Sequence, residues 1–178
     1  MAMVPPLDQV RPLIRTRQYR EFTADPVTDD ELQALAQVAR WSGSSNNTQP
    51  WRFLVTREVG PIRQIAEIAM PQTYALRTAM AAIAIILPAD ASREVSHAYD
   101  DGRVAERILV AASMLGLGAG ITWVVEKYRT QVGELLGVGD DRFVRTIMAI
   151  GHPTERALQR RTKPGEARLP LDELVEWR

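Results

Sequence analysis

The run "AMAAIAIILP", Ala79 to Pro88, constrains the fold more than any other stretch of this chain. From Met80 to Leu87 every position is apolar, so an extended backbone would bury both of its faces, and the run is expected as a central strand. It has about half of the roughly 20 residues a helix needs to cross a bilayer, so it is a core segment and not a membrane span.

Helical and extended patterns alternate around it. "VTDDELQALAQVARW" opens with Thr28 followed three residues later by Glu31, which is capping-box spacing, with Val27 and Leu32 placed as a hydrophobic staple. Leu32, Leu35, Ala36 and Ala39 recur at helical spacing, so a helix is predicted over 29–41. "WRFLVTRE" alternates Trp51, Phe53 and Val55 against Arg52, Leu54 and Thr56, as a strand with one better-buried face would, and Trp51 is expected in the core. A short helix follows near 61–69.

"DDGRVAERILVAASMLGLGAG" reads as a helix buried on most sides, with Gly116, Gly118 and Gly120 marking its end. Thereafter "ITWVV" is a short extended piece, "RTQVGELLGV" a helix ended by glycine, and "TIMAIGHP" a last core strand. The tail "PGEARLPLDELVEWR" is a loop with one or two helical turns. With 178 residues, no internal repeat and no long linker, residues 1–178 are expected to form one domain.

Composition excludes several function classes. Twenty-two basic residues balance twenty-two acidic ones, so no net charge draws the chain to nucleic acid or an anionic membrane. The absence of cysteine removes disulfides, thiolate metal sites and thiol nucleophiles, and suits a cytoplasmic protein. The N-terminus lacks the basic start, apolar centre and small-residue cleavage site of a signal peptide.

Individual motifs carry little chemistry. Gly116, Gly118 and Gly120 form GxGxG after a helix, whereas the dinucleotide fingerprint needs GxGxxG between strand and helix. There is no GxxxxGK[ST] or GxSxG, and His97 and His152 stand at no metal-ligand spacing. His152, in "GHP", reads as a turn residue. The basic cluster of Arg156, Arg160, Arg161, Lys163 and Arg168 reads as a solvated surface.

Three features remain: "RTRQYREF", with Arg15, Arg17 and Arg20; "GSSNNTQPW", with Ser44, Ser45, Asn46, Asn47 and Gln49; and "RLPLDEL", with Arg168. Each alone is a basic turn or a polar loop satisfying its own backbone. In order, "TRQYREF", "GSSNNTQPWRF", "AASMLGLGAGITW", "AIGHP" and "RLPLDEL" resemble the nitroreductase superfamily, whose pattern runs approximately RRSxRxF, PSxxNxQPW, a helix ending in GLG, and RxPL. The resemblance covers residues from about 13 to 175.

That resemblance implies an α+β fold, a three-layer sandwich with a central, mostly antiparallel sheet flanked by helices, in an intertwined homodimer. It implies FMN as cofactor and NADH or NADPH as donor, with hydride passing through the flavin to a nitro, quinone or related small-molecule acceptor. By position, Thr16, Arg17, Gln18 and Arg20 fall on the segment that grips the phosphate and ribityl chain, with Arg20 near the flavin pyrimidine edge. Ser44, Ser45 and Asn47 match residues reaching the cofactor from the partner subunit; Ile121, Thr122 and Trp123 lie along the ring; Arg168 meets the phosphate.

Against the family pattern, Thr16 replaces arginine, Gln18 serine and Gly43 proline, while Glu166 stands where relatives often have lysine. Phosphate binding is therefore expected to rest on Arg15, Arg17, Lys163 or Arg168. The few residues between Glu67 and Ser96 leave no room for a large lid, so an open substrate face is expected. Other readings are a specialised superfamily member such as a reductive dehalogenase or a flavin-consuming ring-forming enzyme, a flavin-sequestering protein, and an unliganded structural dimer.

Overall fold

The computed structural model describes residues 4–159 and 168–178. Four antiparallel strands form the sheet in the order β1-β2-β4-β3, with β1 (Arg52–Thr56), β2 (Ala81–Pro88), β3 (Gly118–Trp123) and β4 (Arg142–Gly151). The apolar run is the central strand β2, as expected. Its odd residues Ala81, Ile83, Ile85 and Leu87 enter one core; Ala82, Ala84 and Ile86 enter the other. This two-sided burial makes the protein a three-layer sandwich, because each face of β2 requires its own apolar cover.

The first face is covered by α2 (Asp29–Arg40) and α4 (Glu94–Met114), whose Leu32, Leu35, Val104, Ile108 and Ala112 pack with Trp51, Met148 and Ile150. The second is covered by α3 (Val59–Ile68) and α5 (Arg129–Leu136), through Ile62, Ile65 and Val132. Phe22 joins this second core. A register irregularity between Ile85 and Ile86 pairs Ile86 with Val144, so Val144 faces the second core although Thr146 faces the first.

Local signals succeed where they concern local chemistry. The Thr28 hydroxyl accepts the Glu31 N–H at 3.3 Å, and Glu31 accepts the Thr28 N–H at 2.8 Å, completing the capping box. Trp51 is buried and stacks on Phe53 with ring centroids 6.0 Å apart. Gly137, at φ 65°, ends α5 in the left-handed conformation that glycine adopts freely.

Two expectations are corrected. Of the three glycines assigned to the end of the long helix, only Gly116 is there: at φ 76° it lets Leu117 N–H return to Ala112 O at 2.9 Å. Gly118 and Gly120 belong to β3. The long helix also starts earlier, at Glu94, and Val95, Tyr99 and Met114 are exposed in the single chain.

Preceding α2, helix α1 (Pro6–Arg15) has no buried residue, and Leu7, Val10, Leu13 and Ile14 are exposed. Two one-turn helices, α6 (Glu155–Leu158) and α7 (Leu171–Leu174), complete the described elements.

Candidate functional site

The glycines of β3 explain how the segment after α1 is placed. A β-carbon on Gly120 would fall on the Tyr19 carbonyl oxygen, and one on Gly118 would stand 2.8 Å from Pro153 Cγ and 3.1 Å from Phe22. Gly151, opposite Gly118 in the ladder, would meet Phe22 Cβ at 2.9 Å. Three missing side chains thus make a groove in which residues 19–22 lie against the sheet. Tyr19 N–H donates to Ala119 O at 2.8 Å, and the Gln18 side-chain oxygen accepts the Ile121 N–H at 3.1 Å. These contacts also cover part of the outer edge of β3.

Arg17, Gln18, Tyr19, Arg20 and Glu21 line a cleft of about 260 Å³ with Ala157 and Gln159. Its two arginines differ. Arg17 donates from Nη2 to Leu158 O, from Nη1 to Gln159 O at 3.5 Å and from Nε to the Tyr19 hydroxyl at 3.1 Å, so it fastens α6 to the cleft. Arg156 adds a second tie, meeting Glu21 at 2.5 Å and 2.9 Å. The Arg20 side chain is exposed and has no hydrogen bond or ion pair among the described residues. The Thr16 hydroxyl donates to Pro12 O at 3.0 Å, capping α1.

Further along β3, Ile121 is half-buried against the first core, the Thr122 hydroxyl donates to Ile147 O at 2.5 Å, and Trp123 is exposed. Gln18 therefore links the arginine segment directly to this part of the strand. Arg168 is exposed ahead of α7 and is not among the residues lining the cleft. Arg160, Arg161, Lys163 and Glu166 lie outside the described residues.

Ser44, Ser45 and Asn47 lie elsewhere in the chain, on a turn packed against α4, and no hydrogen bond or ion pair among the described residues joins them to the cleft. Ser44 Oγ accepts the Gln49 N–H at 2.9 Å, so the loop does satisfy part of its own backbone. Asn46, Asn47 and Gln49 have φ of 51°, 54° and 48°, and all three side chains are exposed. Left-handed backbone costs about 1–2 kcal/mol for an ordinary L-residue, less for asparagine, so surrounding contacts must hold this loop in shape.

Two such contacts come from residues that the sequence reading did not single out. Ser45 N–H donates to both oxygens of Asp100, at 3.0 and 3.1 Å, and Arg142 Nη1 donates to Pro50 O at 3.1 Å. Asp100 and its neighbour Asp101 are both almost wholly buried, yet on different sides of α4. Asp101 faces the sheet, accepts the Thr146 hydroxyl at 2.7 Å, and is pushed up to about 6 by burial, against the opposing pull of that hydrogen bond and of Arg145 and Arg129. His152 hydrogen-bonds Pro26 O at 3.2 Å.

Comparison with known proteins agrees with this architecture. The Nitroreductase family model matches residues 14–85. An NADH dehydrogenase of Thermus thermophilus is 25% identical over 206 aligned positions that cover 99% of each chain. An NADPH-flavin oxidoreductase of Vibrio harveyi is 26% identical over 82% of this chain and 66% of its own length. Among solved structures, an FMN-dependent nitroreductase from Clostridium difficile superposes with a TM-score of 0.79 at 20% identity, covering 93% of this chain and 96% of that one. The sheet order and these similarities agree, and over residues 14–85 the chain is similar to the nitroreductase family.

Proposed function

We propose that this protein is an FMN-dependent oxidoreductase that takes reducing equivalents from NADH or NADPH and delivers them to a small acceptor such as a nitroaromatic compound or a quinone. The observation that carries this reading is Arg20: an exposed guanidinium, without a partner among the described residues, in the cleft beside β3. An anionic cofactor with a hydrogen-bonding ring edge fits that donor set, which includes the exposed Gln18 amide. Bound FMN supplies the hydride chemistry.

The chain's own residues bind and orient. Arg20 holds fixed positive charge where negative charge accumulates on reduction, which raises the potential. Gln18 keeps the arginine segment in register with Ile121, Trp123 is exposed further along the same strand, and Thr122 is buried behind it. Arg17, spent on the carbonyls of Leu158 and Gln159, positions α6 and contributes less to the phosphate than expected; Arg168, with Arg15 and Lys163, holds that charge.

The serine and asparagine loop completes the site from a second copy of the chain in a homodimer. The uncovered apolar side chains of α1 and of the outer face of α4 support that assembly. Among the described residues no helix is long and apolar enough to cross a membrane. The reading includes a cytoplasmic location and no nucleic-acid partner.

The tie on Arg17 favours one second reading, a flavin-sequestering protein with little turnover, because it removes a cation from the phosphate group. Purified protein is expected to be yellow, to release FMN on heating, and to bleach anaerobically with NADH or NADPH. A colourless protein that takes up no added FMN defeats both readings; bound FMN that neither donor reduces selects sequestration. Arg20→Ala is expected to lower the flavin potential by about 30 mV or more, which is about 1.4 kcal/mol for a two-electron couple, and an unchanged potential removes Arg20 from this role.

A further inference from the structure

We infer that Asp100 is a positioning residue of the flavin site: a buried carboxylate that holds the Ser44–Gln49 loop in its ligand-ready shape and is itself held by Arg103. The inference rests on the flavin reading for its consequence, but its geometry is independent of it. Asp100 is 1% exposed, and the loop-facing contact on it is the Ser45 N–H, which reaches both carboxylate oxygens. Arg103 Nη1 stands 3.5 Å from Oδ1 on the solvent side. A buried carboxylate needs such partners, since desolvation of an unpaired charge is expensive.

The loop in turn needs the carboxylate. It contains three non-glycine residues at positive φ within four positions, and its own hydrogen bonds are short-range: Asn47 N–H to Ser44 O, Thr48 N–H and hydroxyl to Ser45 O, Gln49 N–H to Ser44 Oγ, and the Gln49 amide to Asn47 O. Its two ends are fastened to different elements, Ser45 to α4 through Asp100 and Pro50 to β4 through Arg142. Between these points Asn46, Asn47 and Gln49 project exposed side chains. An anchored loop of this kind presents its donors without an ordering cost at binding, which is what preorganisation contributes to affinity.

Gly43 belongs to the same device. A β-carbon there would stand 2.5 Å from Arg103 Nη2, so the guanidinium lies over the backbone just ahead of the loop, in space that a side chain would fill. The side chain of Arg103 remains 55% exposed, so its substitution leaves the core intact.

Amide hydrogen exchange on the flavin-free protein, together with FMN titration, tests the assignment. Asp100→Ala is expected to accelerate exchange at residues 45–49 by about tenfold while β2 amides stay protected, and to weaken FMN binding by about tenfold, the usual scale for a hydrogen bond to a charged group. Asp100→Asn keeps an acceptor for Ser45 N–H, and is expected to return both values to within about threefold of the native protein. Should Asp100→Ala not fold, Arg103→Ala is expected to accelerate the same five residues by about threefold.

Unchanged exchange at 45–49 in Asp100→Ala, or in Arg103→Ala where that variant stands in, overturns the inference, as does an Asn variant no better than Ala. If the native protein takes up no FMN, the flavin reading fails and the exchange result alone decides the anchor. If native FMN binding is sound and Asp100→Ala alters exchange without altering affinity, the anchor exists but has no role in the site, and the inference fails.

Discussion

The two segments proposed to meet at the flavin are built by opposite means. At the Arg17–Glu21 segment, side chains have been removed from the scaffold: Gly118, Gly120 and Gly151 clear a groove, and the segment fits because backbone meets backbone. At the Ser44–Gln49 loop, a side chain has been added: a buried carboxylate on α4 reaches out to hold one backbone N–H. The first arrangement depends on steric fit, which fails abruptly when volume is added. The second depends on a charge-assisted hydrogen bond, which weakens in proportion to what replaces it.

Three substitutions or conditions separate these modes. The largest effect is expected from Gly120→Ala, whose β-carbon would meet a backbone carbonyl that cannot rotate away; it should cost about 3 kcal/mol by urea unfolding and abolish flavin uptake. Native stability and a normal yellow colour in that variant would break the contrast between the halves.

Next comes pH, acting on the platform that carries the loop. Asp101 lies on the sheet side of α4, with burial raising its carboxyl from 3.8 to about 6, so the folded state holds the proton more tightly than the unfolded chain. The stabilisation is therefore complete below 3.8 and is lost as pH rises through about 6; between pH 5 and pH 8 the loss is roughly 1.4 kcal/mol. Asp101→Asn should flatten that part of the stability profile in denaturant melts at the two pH values, and an unaltered slope would assign the titration to another group.

The smallest effect is expected at Gln49, which sits at φ 48°. Gln49→Gly relieves the left-handed backbone but gives the unfolded chain more freedom, for a net gain of roughly 0.5 kcal/mol in unfolding free energy. If flavin binding weakens while stability rises, the Gln49 side chain contributes to the site; if stability falls, the loop is less strained than its dihedral angles imply.

Much of the fold was legible because its causes are local. Thr28 and Glu31 are three residues apart and cap one another, Gly137 ends a helix by its own conformational freedom, and a run such as Ala81–Leu87 is apolar on both faces whatever surrounds it. The order of five short motifs was also legible, and it pointed to the family. Within the candidate site, Gln18 and Arg20 were legible as part of a motif, and the fold sets that motif beside β3 through the Gln18 contact to Ile121.

Other roles were decided only when distant segments met. Gly118 and Gly120 read as helix-end glycines because they follow Gly116 in sequence, but the atoms that exclude a side chain there belong to Tyr19, Phe22 and Pro153. Arg17 was legible only as a basic residue of that motif; that it also reaches the Leu158 and Gln159 carbonyls, 141 and 142 positions away, came from the fold. "DDGR" read only as part of a long, largely buried helix. Successive helical residues point about 100° apart, so sequence requires Asp100 and Asp101 to face different ways. Only the packing of α4 determined which of them meets the sheet and which the loop.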